Sequence, residues 1–200
     1  MSAHRTQQET AIDPDFEIII DLQHGRNRRF RELVDRYKDR ALTLAMKIVR
    51  DRREAEEVVQ DAFVKVYRNV DQFRGESSFH TWFYRILYNE SISRLRRNRN
   101  IPIMVNAEDN EESGLFDHDA LTDARILSSD LQRVIEEEFE RLADHYRTAL
   151  TLFYLQELHY EEIASVMNVP VGTVKSYIFR GKQLLRRRLG TYDHLEAGVA

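Results

Sequence analysis

An all-α fold of two small helical domains joined by a flexible acidic linker is the architecture this sequence predicts. Three observations carry the prediction. The 200 residues include only three prolines and seven glycines, so few positions break a helix. Apolar residues recur at helical spacing through most of the chain. Charge is segregated: Asn106–Asp123 holds seven acidic residues and no Lys or Arg, whereas Tyr84–Arg99 holds five Arg against one Glu. The net charge of −4 therefore hides basic surfaces.

Composition also excludes several classes. With 42% hydrophobic residues, the chain can bury a core in each domain. It has no cysteine, hence no disulfide and no thiolate metal site, which fits a reducing cytoplasm. No apolar run approaches a membrane span and the N-terminus lacks a signal-peptide core, so membrane insertion is not expected.

Met1–Ala11 is polar and expected to fray. Asp13–His24, with Phe16, Ile18, Ile19, Ile20 and Leu22, predicts a short helix that Gly25 can end. Asn27 is a candidate cap for a longer helix whose stripe is Phe30, Leu33, Val34, Tyr37, Ala41, Leu42 and Ala45. Asp51 followed by Glu54 resembles a capping box for a third helix, Arg52–Asn69. Its inward face is Ala55, Val58 or Val59, Ala62, Phe63 and Val66. Glu54, Glu56, Glu57, Gln60, Asp61 and Lys65 are left for solvent or a partner. Asp71–Ser78 is turn-rich, and Ser77 or Ser78 can cap the helix Phe79–Arg99. That helix opens with Phe79, Trp82, Phe83, Tyr84 and Tyr88 and ends in Arg94, Arg96, Arg97 and Arg99. Aromatics leading into cations suit a single-stranded DNA surface, where rings stack on bases and Arg neutralises phosphates. For Trp82 and Phe83, core packing is the favoured reading.

Between Asn100 and Asp123 the apolar period is lost, Pro102 interrupts helix and acidic residues accumulate, which predicts an extended linker. From about Ala124 a new amphipathic helix carries Leu131, Val134, Ile135, Phe139 and Leu142. Asp144 can cap another, Tyr146–Gln156, with Ala149, Leu150, Phe153 and Tyr154 on its apolar face.

Tyr160–Leu189 then reads as two helices and a tight turn. Ile163, Ala164, Val166 and Met167 give the first an apolar face. Asn168-Val169-Pro170 breaks the pattern, because Pro170 lacks an amide hydrogen and restricts its predecessor. In the second helix Val174, Ile178, Gly181 and Leu185 share the inward stripe. Thr173, Lys175, Ser176, Phe179, Arg180, Lys182 and Arg186–Arg188 occupy its other faces. Six Lys or Arg and no acidic residue lie between Val171 and Leu189. A helix-turn-helix with a basic, hydroxyl-bearing outer face suits the major groove, where cations hold phosphates and side chains reach base edges.

Two separated stretches together resemble one family. Glu54–Arg97, EAEEVVQDAFVKVYRNVDQFRGESSFHTWFYRILYNESISRLRR, resembles the second conserved region of bacterial sigma factors. His145–Leu189, HYRTALTLFYLQELHYEEIASVMNVPVGTVKSYIFRGKQLLRRRL, resembles the fourth. With only an acidic linker between them, the chain is similar to the extracytoplasmic-function (group IV) sigma factors from about Asp13 to Leu189. The resemblance implies a region 2 domain at 13–99, a linker at 100–123 and a region 4 domain at 124–189. It implies that core RNA polymerase and promoter DNA are the partners, that a stress or envelope response is served, and that an anti-sigma factor is a further partner. Composition and spacing add the expectation of a cytoplasmic location, no enzymatic activity and no cofactor or metal.

Residue by residue, Gln60 and Asp61 match the segment that docks on the coiled coil of the largest polymerase subunit. Phe73, Arg74, Gly75, Glu76, Ser77, Ser78 and Phe79 match the loop that forms a pocket for a base flipped from the minus-ten element. Asn89 matches a position beside that pocket, and Arg94, Arg96 and Arg97 supply backbone contacts. Extruding one base costs a few kcal/mol, which a prepared pocket and cationic contacts must offset. Thr173, Lys175, Ser176, Phe179 and Arg180 fall on the helix facing the minus-thirty-five element. Two positions depart from the family. Tyr177 stands where Arg is frequent, which implies a lost DNA contact. Gly181 stands where Ala is frequent, which implies a helix weaker by roughly 1 kcal/mol.

Three other classes explain less. A helix-turn-helix regulator acting without polymerase leaves Gln60, Asp61 and the Phe73–Phe79 loop without a purpose. A protein-binding adaptor accounts for the acidic linker and little else. A hydrolase would have to use His159 near Glu161 and Glu162, or the run Glu136–Glu138, and neither has the spacing of a metal site.

Overall fold

The computed structural model describes residues 15–99 and 129–196, with side chains to residue 98 and from 132 to 190. The expected acidic linker, 100–123, lies outside the described residues, as do the polar N-terminus and the start of the helix expected from Ala124. Within the described residues every regular element is helical. The helices are α1 (Phe16–Gln23), α2 (Phe30–Val49), α3 (Arg52–Asn69), α4 (Phe79–Arg99), α5 (Ser129–Glu140), α6 (Asp144–Leu150), α7 (Tyr160–Met167) and α8 (Val171–Glu196).

α1–α4 form the first unit. The stripes read from the sequence meet in its core: Leu33, Ala41 and Ala45 of α2, and Ala55, Val58, Val59, Ala62, Phe63 and Val66 of α3, are all buried. Val58 and Val59 both turn inward, so α3 needs no choice between them. Phe83 sits at the centre, its ring 5.0 Å from Phe63 and 5.2 Å from Tyr37. Such pairs add about 0.5–1.5 kcal/mol each beyond the area they bury.

The caps show which local rules won. Asp51 accepts the Glu54 amide at 2.9 Å, as expected, but the Glu54 side chain leaves the box for Arg94. Ser78 caps α4 by accepting the Thr81 amide at 3.2 Å. Asn27 does not cap α2. It begins a 3-10 turn, Asn27–Arg29, and its amide donates to the Tyr67 hydroxyl at 2.7 Å. Asp144 is likewise not a cap but lies in the first turn of α6, where Arg147 takes its carboxylate at 2.7 Å.

α5–α8 form the second unit. α6 runs into a π-helical turn, Thr151–Leu155, closed by Gln156 N–H to Thr151 C=O at 3.1 Å. The widened turn rotates the apolar stripe, so Ala149 and Leu150 are buried while Tyr154, expected on the same face, is exposed. The two units pack directly on each other, α7 against α4 and α6 against α2. Arg147 lies at the second junction, wholly buried, and donates to the Lys47 carbonyl of α2 at 2.6 Å and to the Leu142 carbonyl at 2.7 Å. Burial pulls its guanidinium below its usual pKa, and Asp144 opposes that pull. Lys47 returns the contact by bonding Glu140 at 2.7 Å and Glu136.

A candidate nucleic-acid interface

The loop between α3 and α4 is fixed from below. A 3-10 turn, Val70–Gln72, follows α3, and the Gln23 amide of α1 donates to the Val70 and Phe73 carbonyls, both at 3.0 Å. Gly75 has a φ of +73°, a left-handed conformation that glycine adopts at little cost. Arg74, Gly75, Glu76 and Ser77 are exposed and Ser78 is half-buried. Phe73 and Phe79 differ from that set. Both are buried, their rings edge to face at 6.2 Å, so they form the floor of the loop and present no free stacking face.

A cavity of about 620 Å³ opens beside this loop, lined by Gln72, Phe73, Arg74, Glu76, Trp82 and Arg85, among others. Trp82 is half-buried, 5.3 Å from Phe73, and offers the cavity an indole wall. Phe83 is core, as expected; Trp82 is core on one side only. Arg85 was not among the candidate residues, although its spacing from Trp82 on α4 puts both on one helix face. Asn89, one turn further, is exposed along the same stripe, and Arg96 and Arg97 are exposed beyond it. The result is an aromatic-walled recess continued by a polar and cationic track.

Arg94 does not join that track. Its guanidinium turns onto α3, 2.8 Å from Glu54, 2.6 Å from Glu57 and 3.3 Å from Asp61. The Glu57 carboxyl is held below its usual pKa, chiefly by the bond from Arg94. Three carboxylates expected to be open to solvent thus share one cation, and a cation expected to face DNA is committed to α3. Gln60 and Asp61 are nonetheless exposed. Val64 and Tyr67, next along that face, are exposed at 46% and 45%, which gives it an apolar centre. The sequence held that signal in the i, i+4, i+7 spacing of Gln60, Val64 and Tyr67.

In the helix-turn-helix, Asn168 ends α7 with a φ of 54°, and the Pro170 carbonyl starts α8 by accepting the Thr173 amide at 3.0 Å. Val174 and Ile178 point inward, as expected. Lys175, Ser176, Thr173 and Arg180 are half-exposed and Phe179 is exposed. The Lys175 ammonium stands 5.8 Å above the Tyr160 ring. A second cavity, about 700 Å³, is lined by Tyr146, Arg180, Gln183, Leu184, Arg186 and Arg187.

Both departures from the family pattern change meaning here. Tyr177 is buried, 4.6 Å from His145 and 5.8 Å from Tyr146. It is a core residue in this chain, and its ring faces inward. At Gly181 an added Cβ would lie 2.8 Å from Leu150 Cδ1 and 3.4 Å from Tyr146 Cβ. Glycine is there because α6 and α8 approach closely, and its helix-weakening cost accompanies that packing.

Residues 33–101 match the Sigma-70 region 2 family, and residues 132–185 match the Sigma-70 region 4 family. The chain is 36% identical over 180 residues to an ECF RNA polymerase sigma-E factor of Haemophilus influenzae, covering 88% of this chain and 95% of that one. It is 38% identical over 185 residues to an RNA polymerase sigma-H factor of Pseudomonas aeruginosa, covering 88% and 94%. It is 34% identical over 177 residues to the ECF RNA polymerase sigma factor SigW of Bacillus subtilis, covering 86% and 94%. Among solved structures, its fold is similar to that of CnrH bound to the cytosolic domain of CnrY, with a TM-score of 0.64 at 22% identity, covering 88% of this chain and 97% of that one. It is also similar to the fold of RpoE bound to the anti-sigma factor NepR from Bartonella quintana, with a TM-score of 0.60 at 23% identity, covering 80% and 96%.

Proposed function

Because this chain belongs to the extracytoplasmic-function RNA polymerase sigma factors, we propose that it binds core RNA polymerase, carries it to promoters and helps open the DNA there. The observation that carries the proposal is the pairing, in one chain, of an aromatic-walled recess and a basic helix-turn-helix. A regulator of duplex DNA needs the second and has no use for the first.

Each surface takes a part. Gln60 and Asp61, with Val64 and Tyr67 beside them, form the polymerase-docking face of α3. The 73–79 loop, Trp82, Arg85 and Asn89 receive an extruded minus-ten base, and Arg96 and Arg97 hold the strand. Phe73 and Phe79 serve that pocket as its floor. Arg94 belongs to the docking side, where it spreads one positive charge over Glu54, Glu57 and Asp61. Thr173, Lys175, Ser176, Phe179 and Arg180 read the minus-thirty-five element. An anti-sigma factor is a third partner, silencing a stress or envelope regulon from the cytoplasm.

Reconstitution tests this directly: purified chain and core polymerase, incubated with genomic fragments and nucleotides, should start transcripts at discrete sites. Core polymerase alone should not. Specific initiation absent from the mixture, with the chain folded and bound to core, would refute the proposal.

A further inference from the structure

The hydrogen bonds beneath the 73–79 loop come from a residue that lies on neither DNA-reading surface. Gln23 is the last residue of α1, and it stands 47 and 50 positions before the two carbonyls it holds. A carboxamide nitrogen carries two N–H donors, and Gln23 directs both here, one to Val70 and one to Phe73. The Val70 carbonyl also accepts the Phe73 backbone N–H at 3.0 Å, so both its lone pairs are engaged.

These bonds sit where the chain changes direction. Val70–Gln72 is a 3-10 turn, and at Phe73 the backbone becomes extended, with φ −74° and ψ 109°. Gln23 therefore ties the start of the turn to the first residue beyond it. Residues 74–77 are exposed and belong to no helix, so their place depends on the anchors at either end. Gln23 is the anchor before them, and Ser78, the cap of α4, is the anchor after. Arg74, Glu76 and Ser77 line the recess, and the Phe73 ring lies 5.3 Å from the Trp82 wall. A shift at the Phe73 carbonyl moves floor and rim together.

α1 is a firm support for this task. Ile18, Ile19 and Leu22 are buried against the first unit. Asp15, just before the helix, is 1% exposed and accepts bonds from Arg36 and Tyr37 of α2. The other end is closed by Gly25 N–H to the Leu22 carbonyl at 2.9 Å and Arg26 N–H to the Asp21 carbonyl at 2.8 Å. Gln23 itself is half-buried, so water competes only in part for its donors.

We propose that Gln23 is a positioning residue for base selection at the minus-ten element, acting through the Val70 and Phe73 carbonyls to set the 74–77 rim against Trp82. The proposal rests on the sigma-factor reading of the recess and names a determinant of its specificity that lies outside it. Reading groups discriminate only when held within about 0.5 Å of their productive places, and hydrogen bonds weaken steeply as they bend. A loop freed at Phe73 still offers the same side chains, but no longer in one arrangement.

The test uses holoenzymes formed with the parent chain, Gln23→Met and Gln23→Lys. Methionine keeps the length and removes both donors, whereas lysine restores donors on a longer stem. The probe is a promoter duplex whose minus-ten element is left unpaired, with each base of that element varied in turn and the lifetime of the complex measured. Gln23→Met should shorten the lifetime on the preferred sequence about tenfold, the change expected for two lost hydrogen bonds. It should also level the preference at the parent's most selective position. Gln23→Lys should keep most of that preference, and both variants should bind core and a paired upstream element as the parent does. Unchanged base preference in Gln23→Met would overturn the proposal, even with a lower unfolding temperature, because Gln23 would then only brace the fold. Equal losses in Gln23→Met and Gln23→Lys would also overturn it, since the packing of the side chain would matter and its donors would not. If Gln23→Met does not fold, Gln23→Asn, whose shorter stem reaches one carbonyl at most, takes its place with the same outcomes. A parent holoenzyme with no base preference anywhere in the unpaired element would refute the reading of the recess itself.

Discussion

The two proposed DNA-reading surfaces are opposites in construction. The minus-ten surface is a recess, with buried phenylalanines beneath it, an indole at its wall and cations only along its rim. The minus-thirty-five surface is a ridge on α8, with Val174 and Ile178 buried behind it and Lys175, Phe179 and Arg180 towards solvent. The difference follows from what each must do. A duplex offers its base edges in the groove, so a helix with suitable side chains suffices. An unpaired base must first be extruded and then kept, which calls for a preformed apolar wall and a strand-holding track.

Removing the wall should have the largest effect. Trp82→Ala is expected to cut promoter opening by about ten- to a hundredfold, the equivalent of about 1–3 kcal/mol of lost stacking. Permanganate reactivity of the unpaired thymines measures it, and binding of the upstream duplex should be unchanged. If Trp82→Ala opens promoters normally, the recess is a packing feature and the contrast with α8 fails.

Removing one tooth of the ridge should do less. Arg180→Ala is expected to lower discrimination at one or two upstream base pairs by about tenfold, within the usual 1–3 kcal/mol for a lost base contact. A uniform loss with a shallower salt dependence would make Arg180 a phosphate clamp instead. On α3, Asp61→Asn should weaken core binding severalfold. It should shift chemical denaturation by less than about 1 kcal/mol, because Arg94 keeps Glu54 and Glu57 as partners. An equal loss of folding and core binding would make Asp61 structural.

The smallest change tests why the ridge sits where it does. Gly181→Ala gains about 1 kcal/mol of helix propensity but pushes a methyl to 2.8 Å from Leu150. The net shift in thermal unfolding should be near zero or destabilising. A gain of the full propensity difference would show that α6 and α8 do not need the close approach.

Most of the ridge was legible in the sequence and much of the recess was not, for a physical reason. On α8 the stripe of Val174 and Ile178 assigns the inner face by periodicity, which leaves Lys175 and Phe179 outside. Tyr177 escaped that logic, because the Arg of relatives suggested a DNA contact while a ring can fill the gap beside His145. In the recess, periodicity cannot say whether an aromatic is buried on one side or both. Trp82 is covered on one face, by Phe73 of the loop, and Phe83 on both, with Tyr37 of α2 and Phe63 of α3 against it, a distinction made by those neighbours rather than by α4. Arg94 shows the same limit for charge. Its place in an arginine cluster pointed to DNA, and only the packing of α3 on α4 brings Glu54 and Glu57 within reach. The junction between the units was illegible, since Glu162 and Thr81, which bond across it, are 81 residues apart and lie in two different motifs.

The central claim is that one chain carries two independent readers, and a crossed promoter experiment tests it most directly. Holoenzymes formed with the parent chain, Trp82→Ala and Arg180→Ala would each be assayed on one promoter in which the minus-ten and minus-thirty-five elements are altered separately. The account predicts that Arg180→Ala loses sensitivity only to upstream changes. Trp82→Ala should lose opening whatever the upstream sequence, while keeping its upstream preference. Identical profiles for the two variants, or loss of upstream preference in Trp82→Ala, would contradict it.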